Sequence, residues 1–462
     1  MKGMMIYEGL THIDDTFILD SMPPAPGTVL PKPRRESAFA RFASSGWGVA
    51  IISGVVALGV LTAIVLAGRN PPALPPVTTD NPPPVTESTA EDTEVDTDVS
   101  YTEGLEYTPV QGKEGYCYVS GSKKMSSRTK LVRIPETSPD GLIVRYIGPE
   151  AFRGNTNITE VILPDTVEVI FEYAFLGCFS LEKVTVGENF GCVKSYAFYH
   201  CSSLKDINLT PEHIIQTSAM YGTPWLNAHT EEFVIYADNL IDYNGNGGDV
   251  VVPNGVKQIY GGTFEGNTTI TSVIIPDSCS VITGSVFAGC TALESITIPS
   301  SVVAIGGDRT FEGCTSLQSI DLPGVLEIVH YGFKDATALT HVNMPKVQSI
   351  GMEAFANCTS LTQVETSAMV ILDYCFSRCY NLQEIILLDG VQTLGAEMFQ
   401  YCPALERIVI PSTVTQIGNI SAISSENLVI EYAGTAEDWA KIQMNEKTAE
   451  ILRPYVQFSS AN

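Results

Sequence analysis

From about residue 113 onward, apolar and polar positions recur along the chain with a fixed period. Leading aliphatic residues stand at Ile158, Leu181, Leu204, Ile270, Leu293, Leu317, Leu339, Leu361, Leu382, Leu405 and Leu428. Apart from the gap between Leu204 and Ile270, their spacing is 21 to 24 residues. Each unit opens on a short alternating run, such as Ile296 and Ile298 in the unit from Leu293 to Ser316. Alternation of period two predicts a β-strand with one side in a core and the other in solvent. A proline often closes the strand (Pro164, Pro276, Pro299, Pro323, Pro345, Pro411), since it can donate no ladder hydrogen bond. An apolar pair three apart then returns inward, as in Val167 with Ile170 or Val414 with Ile417.

A phenylalanine column follows: Phe152, Phe175, Phe198, Phe264, Phe287, Phe311, Phe333, Phe355, Phe376 and Phe399, with Met220 in its place in the unit beginning at Leu204. Stacked, these rings predict a continuous aromatic spine. A period near 23 is the mark of a solenoid, in which each unit buries its face against its neighbours. The predicted fold class is an α/β repeat: a solenoid of short parallel strands with loop or short-helix returns, spanning 113–427 and closed by a C-terminal cap at 428–462.

A different pattern precedes it. Residues 46–68 (GWGVAIISGVVALGVLTAIVLAG) carry no charge over 23 positions. At a helical rise of about 1.5 Å per residue they reach roughly 34 Å, enough for a single transmembrane helix. A cleavable signal peptide would need a shorter apolar region nearer the N-terminus. Lys32, Arg34, Arg35 and Arg41 precede the span, and after Arg69 no basic residue appears before Lys113, so residues 1–45 are expected in the cytoplasm and the repeats outside. Residues 69–112 are Pro-rich, then acidic and Thr-rich (ESTAEDTEVDTD, 87–98), a composition that cannot build a core and predicts an extended linker.

The repeat pattern L-x-x-I-x-I-P…V-x-x-I…A-F-x-x-C resembles the BspA-like leucine-rich repeats of bacterial surface proteins. The resemblance covers roughly 113–445 and recurs about eleven times. In that light GKEGYCYVSG (112–121) looks like the family's N-terminal cap, and the insertion at 223–256 looks like its hairpin-bearing unit. VIEYAGTAEDWAKI (429–442) looks like its C-terminal cap, with Trp439 over the last core layer. The resemblance implies cell-surface binding or adhesion.

Charge narrows the partners. Lys and Arg total 26 against 52 Asp and Glu, a net charge of −26, which repels nucleic acid. Of the 11 cysteines, Cys178, Cys201, Cys290, Cys314, Cys358, Cys379 and Cys402 all fall three residues before a leading Leu, while Cys279 and Cys375 occupy other core columns. These read as small buried hydrophobes rather than a metal site. Cys117 and Cys192 lie outside the scheme and leave a disulfide between them open. The six histidines show no paired ligand spacing, and no serine sits in a G-x-S-x-G elbow. GNGGD (245–249) lacks the Lys-Ser/Thr of a phosphate loop and reads as a hairpin turn. No catalytic set, metal or cofactor site is therefore expected.

The outward strand positions remain as candidates. One column holds Glu160, Lys183, Asp206, Ser272, Ser295, Ser319, His341, Gln363, Glu384 and Arg407; beside it run Ile162, Thr185, Asn208, Ile274, Thr297, Asp321, Asn343, Glu365, Ile386 and Val409. Solenoids bind on such extended faces. The middle (Ser295, Thr297, Ser319, Asp321, His341, Asn343, Gln363 and Glu365) is the expected binding site for an extracellular protein or glycan. The alternative is a transmembrane sensor that relays occupancy to a cytoplasmic regulator docked on residues 1–45.

Overall fold

The computed structural model describes residues 100–459. The span expected at 46–68, the tail at 1–45 and most of the linker lie outside these residues. Among the described residues, no helix is long and apolar enough to cross a membrane.

Each repeat coil contributes a strand to a front column, and the expected alternation places them there. Ser295–Thr297, for example, turns Ser295 and Thr297 to solvent and buries Ile296. These strands pair in parallel and in register, as in Ser272↔Ser295 and Ile274↔Thr297. The inward apolar pair forms a second, rear column of parallel strands only two residues long through most of the repeats, such as Val169–Ile170, Val281–Ile282 and Ser349–Ile350. The returns between coils are turns, so the repeats form a parallel β-solenoid, and the helical half of the α/β expectation is absent from them. Among the described residues three short α-helices lie outside the repeat returns: Pro224–Asn227, Ala436–Trp439 and Glu446–Leu452.

The turn carrying each phenylalanine twice enters the left-handed region, four residues apart, as at Tyr173 (φ 59°) and Gly177 (φ 69°) or Tyr196 (φ 58°) and His200 (φ 58°). Glycine holds several of the second positions, but the first is mostly non-glycine, a strain that packing between coils must offset.

The aromatic spine exists as two stacks rather than one. Phe152, Phe175 and Phe198 stack at 4.9 and 5.1 Å between ring centroids. Phe264 to Phe376 form a second run at 5.1 to 5.6 Å. Met220 interrupts them where the insertion enters, and the buried core correspondingly divides into two clusters.

Inside the insertion, Phe233–Tyr236 pairs antiparallel with Asn239–Tyr243 across Ala237 and Asp238, both at positive φ (47° and 62°). That two-residue turn is the hairpin; GNGGD is not. Asn239–Tyr243 belongs to the rear column beside Gln258–Ile259, whereas Gly248–Val251 belongs to the front column beside Ile270–Ile274. The glycines therefore carry the chain from one sheet to the other, with Gly247 and Gly248 at φ 84° and 73°.

At the N-terminal end, Glu106–Pro109 lies within the stretch expected as linker but pairs antiparallel with Tyr116–Gly121, so ordered structure begins before residue 113. At the other end Trp439 meets the Tyr432 ring edge-on at 5.1 Å, Leu452 is buried, and Val456–Phe458 adds a parallel strand beside Val429–Tyr432.

All eleven cysteines are buried and free. Cys117 pairs with Val144 and Cys192 with Val169, on strands three places apart in one sheet. At about 4.8 Å per strand that separation, roughly 14 Å, exceeds the reach of a disulfide, so the pairing left open by the sequence is excluded. The seven ladder thiols each donate to the carbonyl of the preceding coil's ring-bearing residue, from Cys178 Sγ to Phe152 O at 3.0 Å through Cys402 Sγ to Phe376 O at 3.1 Å. Burial pushes the thiol of Cys279 up to about 11 and those of Cys290 and Cys402 up to about 12, which keeps these three protonated donors. Native protein should therefore resist iodoacetamide at pH 8, and denatured, unreduced protein should titrate all eleven thiols. Labelling of ladder cysteines in the native state would contradict their burial.

One junction differs from the rest. The front strand Ser295–Thr297 is not ladder-paired with Ser319–Asp321, and the rear strand Ala304–Ile305 is not paired with Glu327–Ile328. Both sheets stop at the same seam. The sequence supplies the reason: the unit from Leu293 has 24 residues, with one more residue between Ile305 and Phe311 than its neighbours have, and the next unit (LPGVLEI) has one fewer between its strands. Across the seam the turn ladder persists, with Phe311 N donating to Gly332 O at 2.8 Å and Gly313 N to Lys334 O at 2.8 Å.

Candidate functional site

The eight residues singled out from the sequence lie on four successive front strands, and all eight are exposed. Ladder pairing sets Ser319 beside His341 and Asp321 beside Asn343. The seam separates this pair of strands from Ser295 and Thr297. A second interruption, in the front sheet alone, separates it from Gln363 and Glu365. The face is thus a row of three short panels held by one buried core.

Of the eight, Gln363 is engaged: its Nε2 donates to Glu384 Oε2 at 2.7 Å. The other seven side chains have no hydrogen bond or ion pair among the described residues. Their neighbours toward both ends of the solenoid are occupied. Lys183 pairs with Glu160 at 3.4 Å and Lys205 with Glu182 at 2.7 Å. Arg407 is clamped between Glu384 and Glu431, reaching Glu431 Oε2 at 2.7 Å, and these carboxylate hydrogen bonds raise its pKa further. Such exposed pairs are worth little individually, but they leave their side chains less free to engage a partner.

Sequence alignment of the columns missed two positions inside the insertion. Gly248–Val251 is a front strand, so Asp249 joins the first outward column and Val251 the second, beside Ser272 and Ile274. Asp249 accepts from Ser272 Oγ at 2.6 Å and from Thr271 Oγ1 at 3.3 Å. Val251 and Ile274 are 60 % and 47 % exposed, an adjacent aliphatic pair at the edge of the polar row. The alternation in GDVVV would have found both had the insertion been aligned with the repeats.

The interior is a poor place for a ligand near the insertion. A recess beside Met220, lined by Ser218, Leu226, Ile241 and Asp242, holds about 20 Å³, room for one water molecule. Burial raises the Asp242 carboxyl above its ordinary range. Among the described residues, no three His, Cys, Asp or Glu side chains come together to hold a metal ion.

The pattern of the family described as "BspA type Leucine rich repeat region" matches residues 137–236, 235–362 and 307–429 in six copies, well over half of the chain. No curated protein matches it significantly. Among solved structures, a leucine-rich cell surface protein from Faecalibacterium prausnitzii is 25% identical over 76% of this chain and 99% of its own, with a TM-score of 0.38. A leucine-rich repeat protein from Eubacterium ventriosum is 20% identical over 70% and 93%, with a TM-score of 0.39. One from Bacteroides ovatus is 23% identical over 68% and 95%, with a TM-score of 0.30.

Proposed function

We propose that this chain, which belongs to the BspA-type leucine-rich-repeat family, is a membrane-anchored surface protein that binds an extracellular protein or glycan across the front strands of its solenoid. One observation carries the reading: seven exposed polar side chains stand in two columns across three sheet panels over one buried core, with nothing in the described chain to satisfy them. A surface of this kind needs little ordering on binding, because the strands are already fixed by core residues beneath. The anchor rests on the uncharged stretch at 46–68 and the basic residues before it. The sensor alternative rests on residues 1–45 and lies outside the described chain.

The test is a binding screen of the full chain, in lipid nanodiscs, against matrix proteins and glycans. The Asp321→Ala, His341→Ala, Asn343→Ala, Glu365→Ala variant should keep the thermal stability of the parent, since all four side chains point to solvent. Its affinity for whichever ligand the screen finds should fall several-fold or more. Normal binding by this variant, with loss of binding on substitutions in 223–256, would move the site to the insertion.

A further inference from the structure

Charge along the front face is distributed in a way the fold does not require. Both ends neutralise themselves, through Lys183 with Glu160 and Lys205 with Glu182 at one end and Arg407 with Glu384 and Glu431 at the other. Between them, from Asp206 to Glu384, the two outward columns and the position just ahead of them contain no lysine or arginine. They do contain Asp249, Glu294, Asp321 and Glu365, besides the exposed Asp206 and the Arg407-bound Glu384 at the two limits. Asp249 is answered by two hydroxyls. Glu294, Asp321 and Glu365 are exposed, and their carboxylates have no hydrogen bond or ion pair among the described residues.

These three carboxylates fall on coils spanning three steps of the solenoid, about 15 Å at the spacing of neighbouring strands. At these separations, which exceed the Debye length of about 8 Å at physiological salt, their mutual repulsion is largely screened, and each carboxylate is left open to pair with a cation that comes close to it. At the head of the row stand Val251 and Ile274, an apolar step in register with Thr297. An acidic glycan would be repelled by this arrangement, and a neutral one would leave the three carboxylates as they are.

We infer that the middle of the front face docks a basic, extended polypeptide segment, its lysine or arginine side chains pairing with Glu294, Asp321 and Glu365 and an apolar side chain resting on Val251 and Ile274. The inference rests on the strand-face reading above and narrows its partner. From Val251 to Glu365 is five steps of the solenoid, about 25 Å, which an extended segment of about eight residues covers. Complementary charge of this kind sets encounter rate and specificity, so binding should weaken as salt rises.

The experiment uses the full chain in nanodiscs of zwitterionic lipid and two fluorescent peptides of about ten residues, one alternating lysine and serine after a leading leucine, the other with glutamate in place of lysine. Fluorescence anisotropy is read for the parent, for Glu294→Gln, Asp321→Asn, Glu365→Gln, and for a control with Glu188→Gln, Glu212→Gln, Glu426→Gln, three exposed carboxylates away from these columns. The lysine peptide should bind the parent and the control within about twofold of each other and the front-face variant about tenfold more weakly, while the glutamate peptide binds none. Equal weakening in both variants would reduce the effect to overall charge and overturn the inference, as would unchanged binding in the front-face variant. If that charge variant binds the lysine peptide normally while the four-alanine variant still loses its matrix ligand, the basic partner falls and the strand-face reading stands. If neither loses anything, both fall.

Discussion

Replacing Phe311 with alanine is expected to cost about 3–5 kcal/mol and to split unfolding of the solenoid into two steps. The ring is 1 % exposed and lies between Phe287 at 5.2 Å and Phe333 at 5.1 Å, nearly parallel to both. Any ring in the spine would leave a cavity of similar size. Phe311 differs because it crosses the seam, where neither the front nor the rear strands are ladder-paired. In a solenoid the coupling between neighbouring units is what makes unfolding cooperative, and here it lacks both strand ladders and rests on the shared core, the turn ladder and the stacked rings. Trp225 lies before the seam and Trp439 after it, so two single-tryptophan backgrounds, Trp47→Phe with Trp439→Phe and Trp47→Phe with Trp225→Phe, report the two sides separately during urea unfolding. The parent should show coincident transitions and Phe311→Ala two separated midpoints. Phe287→Ala is the control, since Ser272–Ser295 and Val281–Ala304 pairing is intact around it; it should lose comparable stability without the split. Coincident transitions in Phe311→Ala would mean that the seam is not a weak junction.

The seam illustrates which features could be read from the sequence. A period near 23 locates most of the front strands, though not Leu131–Arg133 or Gly248–Val251, and a column alignment then identifies Ile296 as buried and Ser295 and Thr297 as exposed without further information. The phenylalanine and cysteine columns follow in the same way. Unit lengths of 24 and 22 are equally visible, but their consequence depends on where the extra and missing residues fall relative to two sheets. The rear sheet was not legible as a sheet: two residues such as Val169 and Ile170 are too few for alternation to be told from any apolar pair. The hairpin turn was misplaced for a related reason. Glycines attract a turn assignment, yet the tight turn is made by Ala237 and Asp238 at positive φ, residues without that signature.

The candidate site was legible as a surface and only partly as chemistry. Columns predict which side chains point outward, but not which of them neighbours have already satisfied. Arg407 and Gln363 occupy the same column as Ser295, yet in the fold Arg407 is tied to Glu384 and Glu431 and Gln363 to Glu384, while the Ser295 side chain is unengaged. The unpaired carboxylates emerge by this subtraction.

Tyr432→Ala should produce a loss of similar size to Phe311→Ala but of opposite character, confined to one end. Tyr432 is 1 % exposed and closes the last coil, with Trp439 edge-on at 5.1 Å and Phe458 at 6.3 Å. It also sits in register with Phe458 on the terminal strand. A solenoid end needs such a cover because the last coil has a neighbour on one side alone, so its open core face meets water if the cover fails. Truncation removes most of a buried aromatic side chain, a cost of about 3–5 kcal/mol. Only the final coils depend on it, however, and they can open while the remainder stays folded. Hydrogen exchange should therefore show protection at Val429–Tyr432 and Val456–Phe458 falling by about two orders of magnitude or more, a change that corresponds to that cost. Strands from Leu131 to Ile207 belong to the other core cluster and should be unaffected. Tyr432→Phe keeps the ring and should retain most of the protection. A loss spread evenly over all strands in Tyr432→Ala would mean that the C-terminal closure stabilises the solenoid as one cooperative body rather than its last coils alone.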